Sequence, residues 1–136
     1  MQSVFINHTN HPSDTWLPRE RAAAECIGPI RELPFPDVDA AWGEEQIAEL
    51  ALEMGKKIVS MNPAAVLCQG EFTYCFALVS YLKAHGIQVV SACSKRVVKE
   101  WEEEGVTRKQ SEFVFVRFRQ YGSVSINDGV GLFMGR

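Results

Sequence analysis

Five polar side chains near the start of the chain have the chemistry of a ligand site. They lie within seven residues and directly follow the apolar run Val4-Phe5-Ile6: Asn7, His8, Asn10, His11 and Ser13. Amide, imidazole and hydroxyl groups together bind phosphate, ribose or base edges. Histidine is also a natural proton-transfer residue near neutral pH. We therefore predict that this loop binds a ligand and that its histidines act on it.

The same loop allows a structural interpretation and a metal-binding one. Asn and Ser side chains commonly satisfy the backbone of turns, which gives the cluster an ordinary structural role. His8, His11 and Asp14 are also metal-ligating residue types, although their spacing is not that of two ligands on one helical turn. The loop thus supports a second, metal-dependent hypothesis.

A second candidate loop follows the apolar run Ala65-Val66-Leu67-Cys68. A glycine directly after a central strand lets the backbone approach a ligand closely, and the N–H groups that open the next helix then point at that ligand. No Walker or dinucleotide motif is present, because the additional glycines are missing. The predicted ligand-binding residues are Gln69, Gly70, Glu71 and Thr73. Glu71 also has an ordinary alternative role, which is to stabilise the helix N-terminus.

A third polar group follows the apolar run Ile87–Cys93. Ser94, Lys95 and Arg96 are predicted to contact the same ligand, because two adjacent cations can neutralise phosphate. The alternative is a solvated turn. Further along, Arg117 and Arg119 alternate with Phe113 and Phe115, which indicates either an exposed binding face or an edge strand protected by charge.

Length and composition describe one domain of ordinary size. The chain has 136 residues, of which 46% are hydrophobic. No run approaches the roughly 18 apolar residues of a membrane span, and the start lacks the features of a signal peptide. We therefore expect a cytoplasmic protein with no membrane partner. The four cysteines form no Cys-x-x-Cys pair and are expected to be reduced and buried: Cys26, Cys68, Cys75 and Cys93.

Charge is distributed unevenly along the chain. The net charge is −3, with 6 Lys+Arg against 11 Asp+Glu in residues 1–94 and 8 against 6 in residues 95–136. Proteins that coat long duplexes have a broad basic surface, so long duplex nucleic acid is not an expected partner. A small anionic ligand needs only a few local cations and helix N-termini.

Hydrophobic periodicity predicts the elements that must position these loops. Four apolar runs read as strands: Ser3–Asn7, Ile30–Leu33, Ala64–Cys68 and Ile87–Cys93. Helical spacing predicts helices over Arg19–Cys26, Glu44–Met61 and Phe72–Ala84, with Pro18 in the first turn of the first and Ser13 or Asp14 as its cap. Arg96–Trp101 and Glu112–Arg119 read as a separate antiparallel hairpin.

The predicted fold class is α/β, a Rossmann-like parallel four-stranded sheet with flanking helices and a C-terminal β-hairpin. Strand one is expected beside strand three, so that both junction loops lie at the carboxyl ends of neighbouring strands, where ligands bind in such sheets. Residues 1–121 form the predicted ligand-binding domain. Residues 122–136 are rich in glycine and receive no assignment.

Four segments, taken in order, resemble the small stand-alone CARF-like proteins of type III CRISPR systems. They are the strand that ends in Asn7-His8, the turn Leu33-Pro34-Phe35-Pro36, the junction Val66-Leu67-Cys68-Gln69-Gly70-Glu71-Phe72, and Ser91-Ala92-Cys93-Ser94-Lys95-Arg96. The resemblance covers roughly residues 3–119.

This resemblance implies a homodimer that binds a cyclic oligoadenylate, most simply cyclic tetra-adenylate, across its two-fold axis. It also implies a ring nuclease, which cleaves the messenger without a metal or other cofactor and leaves 2′,3′-cyclic phosphate ends. Positioning and charge stabilisation are sufficient for such chemistry. The implied residues are Asn7, His8 and Ser13 in the first loop, Gln69, Gly70 and Thr73 in the second, and Lys95 and Arg96 in the third. His8, His11 and Ser13 are the catalytic candidates, and Asn10, Glu71 and Ser94 complete the predicted ligand contacts.

Three functions therefore compete. The first is the ring nuclease, the second is a sensor or sponge that binds the same ligand without cleaving it, and the third is a metal-dependent hydrolase that uses His8, His11 and Asp14.

Overall fold

The protein contains a five-stranded sheet and three α-helices within residues 3–122, which are the residues that the computed structural model describes. The strands are β1 (Phe5–His8), β2 (Ile30–Glu32), β3 (Ala65–Cys68), β4 (Val89–Glu103) and β5 (Val106–Gln120). The helices are α1 (Pro18–Ile27), α2 (Glu44–Met61) and α3 (Phe72–Ala84). Residues 123–136, where the sequence supported no assignment, lie outside the described part of the chain. Within residues 3–122, no helix is long and apolar enough to cross a membrane.

The strand order is β2-β1-β3-β4-β5, with the first four strands parallel and β5 antiparallel to β4. The predicted α/β fold with a C-terminal hairpin is therefore confirmed. The predicted neighbours β1 and β3 pair along their whole lengths, from Phe5 opposite Ala65 to His8 opposite Cys68. The strand order reverses between them, because β2 lies on one side of β1 and β3 on the other. Both junction loops thus leave the sheet at its switch point.

Side-chain alternation divides the core into two layers. Ile6, Val66 and Val89 face one side of the sheet, where α2 and α3 cover them. Phe5, Leu67 and Val90 face the other side, where Ala24 of α1 packs. All four residues of β1 and of β3 are buried, as expected of central parallel strands covered on both faces.

Helices α2 and α3 approach each other closely at Gly55. A Cβ at this position would lie 2.4 Å from the Tyr81 ring, so only glycine allows this packing. The amphipathic pattern of α2 has Ile47, Ala51 and Ile58 on its buried face. The predicted bounds of α2 and α3 are confirmed.

The predicted separation between a fourth strand and a hairpin is wrong. β4 is continuous over Val89–Glu103, and its irregularity lies at a bulge between Cys93 and Ser94. The change of periodicity marks the point where β4 leaves the body of the sheet, because β3 pairs with it only at Val89 and Val90. Ser94, Lys95 and Arg96 are therefore strand residues and not a loop.

The start of α1 differs from the prediction in its cap. Pro18 occupies the first turn as expected, but the N-cap residue is Leu17, which has no capping side chain. Ser13–Thr15 instead forms a separate 3-10 turn. The cysteine prediction also needs a correction, because Cys26 on α1 is exposed while Cys68 and Cys75 are buried.

Candidate functional site

The first and second junction loops meet at the carboxyl edge of the sheet. Asn10 from the first loop and Glu71 from the second line one open cavity of about 430 Å³. Phe35, Pro36, Asp37 and Val38, which follow β2, complete its wall. The cavity thus lies beside the β1–β3 switch point, where the sequence predicted a site.

His8 is wholly buried and has partners at both ring nitrogens. Its Nδ1 donates to the Leu33 carbonyl at 2.8 Å, which fixes the tautomer, and its Nε2 then accepts from the Tyr74 hydroxyl at 2.8 Å. The ring also packs against Phe35 and Tyr74, with centroids 5.3 and 5.8 Å away. His8 therefore joins the ends of β1 and β2 to the first turn of α3.

Burial lowers the pKa of His8 below its ordinary value of 6.5, and the hydrogen bond to Leu33 only partly opposes this effect. Burial likewise raises the pKa of Tyr74. Both groups are thus held neutral. This geometry favours a positioning role for His8, since neither ring nitrogen is free for a ligand.

Asn7 has a comparable internal role on the opposite face of β1. Its Nδ2 donates to Glu32 Oε1 and to the His11 carbonyl, both at 2.9 Å. Glu32 Oε1 also accepts from the Ser13 backbone N–H at 3.1 Å, and Arg21 Nη2 donates to the Ser13 carbonyl at 2.8 Å. Ser13 itself is buried. These bonds fix the path of the first loop.

The outer part of the first loop is a compact turn that presents His11. The His11 carbonyl accepts from Asn7 Nδ2 at 2.9 Å and from Trp16 Nε1 at 3.0 Å, and the Thr9 hydroxyl accepts from the His11 N–H at 3.1 Å. The Thr9 hydroxyl also donates to the His11 carbonyl at 3.3 Å. The backbone is therefore held by side chains of the protein, while the imidazole and the neighbouring Asn10 are exposed. Of the predicted catalytic residues, His11 has the most accessible side chain.

Packing within the protein requires a glycine at position 70, whether or not a ligand binds there. Its φ of +157° is unusual for residues with a side chain, and a Cβ would lie 2.3 Å from the Phe35 ring. Phe35 in turn packs edge-on against Tyr74, with centroids 5.2 Å apart. The turn after β2 and the junction after β3 thus support each other.

Glu71 caps α3 with its own carboxylate. Oε1 accepts from the Tyr74 N–H at 2.8 Å and from the Thr73 hydroxyl at 2.7 Å. The hydrogen bond from Thr73, followed by that from Tyr74, lowers the pKa of Glu71. The N–H groups expected to face an anionic ligand are therefore partly occupied by a side chain of the protein, which is the structural alternative that the sequence had left open.

Gln69 extends the sheet by one hydrogen bond. Its Oε1 accepts from the Ala92 N–H, just beyond the last residue pair of β3 and β4. The amide of Gln69 thus has a structural contact, and the loop after β3 is tied to the point where β4 leaves the sheet.

The third predicted group lies on the part of β4 that extends past the sheet. Ser94, Lys95 and Arg96 are all exposed. Arg96 donates from Nε and Nη2 to Ser111 Oγ on β5, at 3.1 and 2.8 Å. The structure therefore places these residues on the carboxyl side of the sheet, but on a different element from the cavity wall.

The metal hypothesis has no support among residues 3–122. His8 uses both ring nitrogens inside the core, whereas His11 and Asp14 are exposed. No group of three or more His, Cys, Asp or Glu side chains in this range has the arrangement of a metal site.

Several residues of this region were not predicted as site residues from the sequence. Tyr74 and Phe35 contact His8, and the Tyr121 hydroxyl donates to the Cys68 carbonyl at 2.7 Å. Burial raises the pKa of Tyr121 to about 12. Their partners are distant in sequence, so local pattern carries no signal for them.

A buried pair of thiols lies directly under the second junction. Cys68 and Cys75 have their sulfurs 3.7 Å apart. The hydrogen bond to Cys75, together with burial, raises the pKa of Cys68. The pair fills the space between β3 and α3.

A larger apolar groove of about 1190 Å³ runs along α3. Phe72 and Phe76 line it with side chains 88% and 78% exposed, and Tyr121 and Gly122 close one side. Among the predicted site residues in the described range, Thr73 alone borders this groove.

The fold and the junction cavity define a Rossmann-like α/β protein with a candidate ligand site at its switch point. A family profile described as the Uncharacterized protein MJ1673 family matches residues 3–119, and the chain belongs to this family. Searches of curated proteins and of solved structures found no match. The link to CARF-like proteins of type III CRISPR systems stays a prediction.

Proposed function

We propose that the protein binds a cyclic oligoadenylate at the junction cavity and cleaves it by a metal-independent reaction. The observation that carries this proposal is the cavity itself, which joins Asn10 and Glu71 at the switch point of the sheet. Ligands of open α/β sheets bind in such crevices. The resemblance of the two junctions to CARF-like proteins supplies the class of ligand.

The charges of the wall favour a particular arrangement of this ligand. Asp37 and Glu71 both line the cavity, and carboxylates repel phosphate. They accept hydrogen bonds from an adenine amino group or a ribose hydroxyl. We therefore place a base or ribose in the cavity, and the phosphates outside it, toward His11 and the exposed cations Lys95 and Arg96.

Cleavage requires the ribose 2′-hydroxyl to lose a proton as it attacks the adjacent phosphate, while the leaving 5′-oxygen gains one. His11 is the candidate for this transfer, because its imidazole is exposed and it directly follows Asn10, which lines the cavity. His8 is a positioning residue, which joins the ends of β1 and β2 to α3. The predicted catalytic set thus separates into an exposed His11 and a buried His8 and Ser13.

The test is incubation with cyclic tetra-adenylate, with and without EDTA, followed by chromatography of the products. We expect cleavage to linear products with 2′,3′-cyclic phosphate ends in both conditions. His11→Ala should reduce turnover by roughly 10²–10⁴-fold and largely preserve affinity. The matched control is His85→Ala at the other end of α3, which should cleave at the parent rate.

The second candidate function is a sensor or sponge that binds without cleavage. It is favoured by the same burial of His8, which leaves the first loop with a single accessible imidazole. Binding of cyclic tetra-adenylate without turnover would select this function. No binding to the ring, in calorimetry at micromolar protein, would reject both proposals.

The proposed assembly is a homodimer whose junction loops face the two-fold axis, since a symmetric ring is well matched by an isologous site. Light scattering with the ligand present should give a dimer. A monomer at micromolar concentration would contradict this assembly.

A further inference from the structure

Residues 94–114 form a two-stranded ribbon that extends beyond the body of the sheet, and we call it the arm. It contains the outer part of β4 and the facing part of β5, joined at Glu104 and Gly105. Both turn residues have positive φ, 52° and 77°, as a tight hairpin turn requires. The arm is thus regular in geometry throughout its length.

The arm exposes apolar side chains that a single copy of the chain leaves uncovered. Val98, Val106 and Phe113 are 54%, 53% and 70% exposed. A two-stranded ribbon alone is marginally stable in water, and its edges are templates for further strands. The arm therefore has the features of an interaction element.

The outer edge of β4 is open along the arm. β3 pairs with β4 only at Val89 and Val90, and the Gln69 side chain occupies the next N–H, that of Ala92. Beyond Ala92 no described strand lies on this side of β4. An additional strand can therefore pair there.

The charges along this edge are ordered by sign. The half of the arm strand nearer the sheet carries Lys95, Arg96 and Lys99, and the half nearer the tip carries Glu100, Glu102 and Glu103. A second copy in antiparallel orientation would bring each half opposite the half of opposite sign. The edge is thus complementary to itself, which is the requirement for an isologous contact.

We propose that the arm pairs with the arm of a second copy of this chain, β4 against β4, to form a four-stranded ribbon. In an antiparallel pair of identical strands the two-fold axis passes where a residue lies opposite its own copy. An axis at Lys99 places Lys95 opposite Glu103 and Arg96 opposite Glu102 of the second copy. An axis at Val98 gives fewer ion pairs, so the register centred on Lys99 is assigned.

One contact supports this register, and the one unfavourable contact in it is moderated within each copy. It places Val97 opposite Trp101 of the second copy, so that a Trp side chain 42% exposed in the single chain gains an apolar neighbour. It also brings the two Lys99 side chains together, and each already has an acidic partner, because Lys99 Nζ lies 3.3 Å from Glu112 Oε1. The like charges at the axis are therefore partly neutralised within each copy.

This contact is made by the arm and not by the junction cavity, although it shares Lys95 and Arg96 with the proposed phosphate contacts. Lys99 follows Ala92 by seven residue steps, which at about 3.4 Å per step puts the sheet edge about 24 Å from the arm axis. The two junction cavities would then be too far apart to share one small ring. The arm contact is therefore a second isologous interface in addition to the ligand-sharing dimer, and it can be tested without ligand.

Charge reversal provides the test, with mass measured by light scattering at about 50 µM protein in low salt. The variant Glu102→Lys/Glu103→Lys has cations at all four positions that form the opposed ion pairs, and Lys95→Glu/Arg96→Glu has carboxylates at all four. Each alone should have half the mass of the parent assembly. An equimolar mixture should recover the parent mass, because each of the four ion pairs is again formed between opposite charges.

The matched control is Glu49→Lys/Glu53→Lys on the exposed surface of α2, which changes the net charge by the same amount as Glu102→Lys/Glu103→Lys. It should keep the parent mass. A monomeric parent, or reversed variants that retain the parent mass, would overturn the proposal. A mixture that does not reassemble would also overturn it.

The register is tested by a disulfide at the axis. Lys99→Cys, in a Cys26→Ser background that removes the exposed native thiol, should give a covalent dimer on oxidation, because directly opposed residues have Cβ atoms about 5 Å apart. Lys109→Cys on the other strand of the arm should stay monomeric on a denaturing gel. Equal cross-linking at both positions would contradict the register.

Discussion

The junction and the arm use the same kinds of polar residue in opposite ways. At the junction, the side chains of Asn7, His8 and Gln69 form hydrogen bonds to other groups of the protein. On the arm, Lys95 and most of the glutamates lie exposed, and the ion pairs present are between surface groups. The difference shows that polar clustering in sequence identifies a structured region, while exposure decides which groups remain for a partner.

Removal of the His8 ring should give the largest loss of stability. His8→Ala creates a cavity in the core and leaves the Leu33 carbonyl and the Tyr74 hydroxyl without their partner, so we expect a loss of about 3 kcal/mol in unfolding free energy. Urea denaturation measures it. His11→Ala should change stability by less than about 0.5 kcal/mol. Equal effects at the two positions would remove the distinction between buried and exposed histidines.

A side chain at Gly70 should have the next largest effect. Gly70→Val drives Cβ into the Phe35 ring and imposes an unfavourable φ, at a cost of about 2 kcal/mol. It should also abolish ligand binding, through displacement of Phe35 from the cavity wall. Gly105→Ala in the arm turn is the comparison, since nothing lies within 4 Å of its added Cβ and only the φ is unfavourable. Similar losses at both glycines would show that packing against Phe35 is unimportant.

Lowering the pH should reduce the stability of the folded protein through His8, by less than the two substitutions above. Its folded-state pKa is below its unfolded value of 6.5, so the unfolded chain binds more protons between these two values. Stability should therefore fall as the pH drops from about 6.5 toward the folded pKa. The parent and His8→Gln should be compared by thermal denaturation between pH 5 and pH 8. The same slope in the variant would assign the effect to other groups.

The sequence was sufficient for the order of elements and the adjacency of β1 and β3, because apolar runs and right-handed crossovers leave few topologies. The sequence also indicated that His8 is buried, although our prediction did not use this. Alternation in a strand puts His8 on the same face as Ile6, and this face is covered by two helices. His11 lies beyond the strand, where alternation no longer applies.

The contacts of the cavity wall could not be predicted in the same way. Phe35 meets Gly70 and Tyr74 only through the tertiary fold, and each segment alone reads as an ordinary turn. The continuity of β4 was missed for a different reason. Past Cys93 both faces of the strand are exposed, so the apolar alternation that defines a strand in sequence ends before the strand does.

The bond from Ala92 to Gln69 has a mechanical consequence. It ties the loop beside the cavity to β4 one residue before the bulge at Cys93 and Ser94, from which the arm extends. A rotation of the arm about that bulge would displace Gln69. The displacement at Gln69 would be a fraction of the displacement at the tip of the arm, because Gln69 lies near the axis of rotation. The arm is in this sense a long lever attached to the loop that contributes Glu71 to the cavity wall.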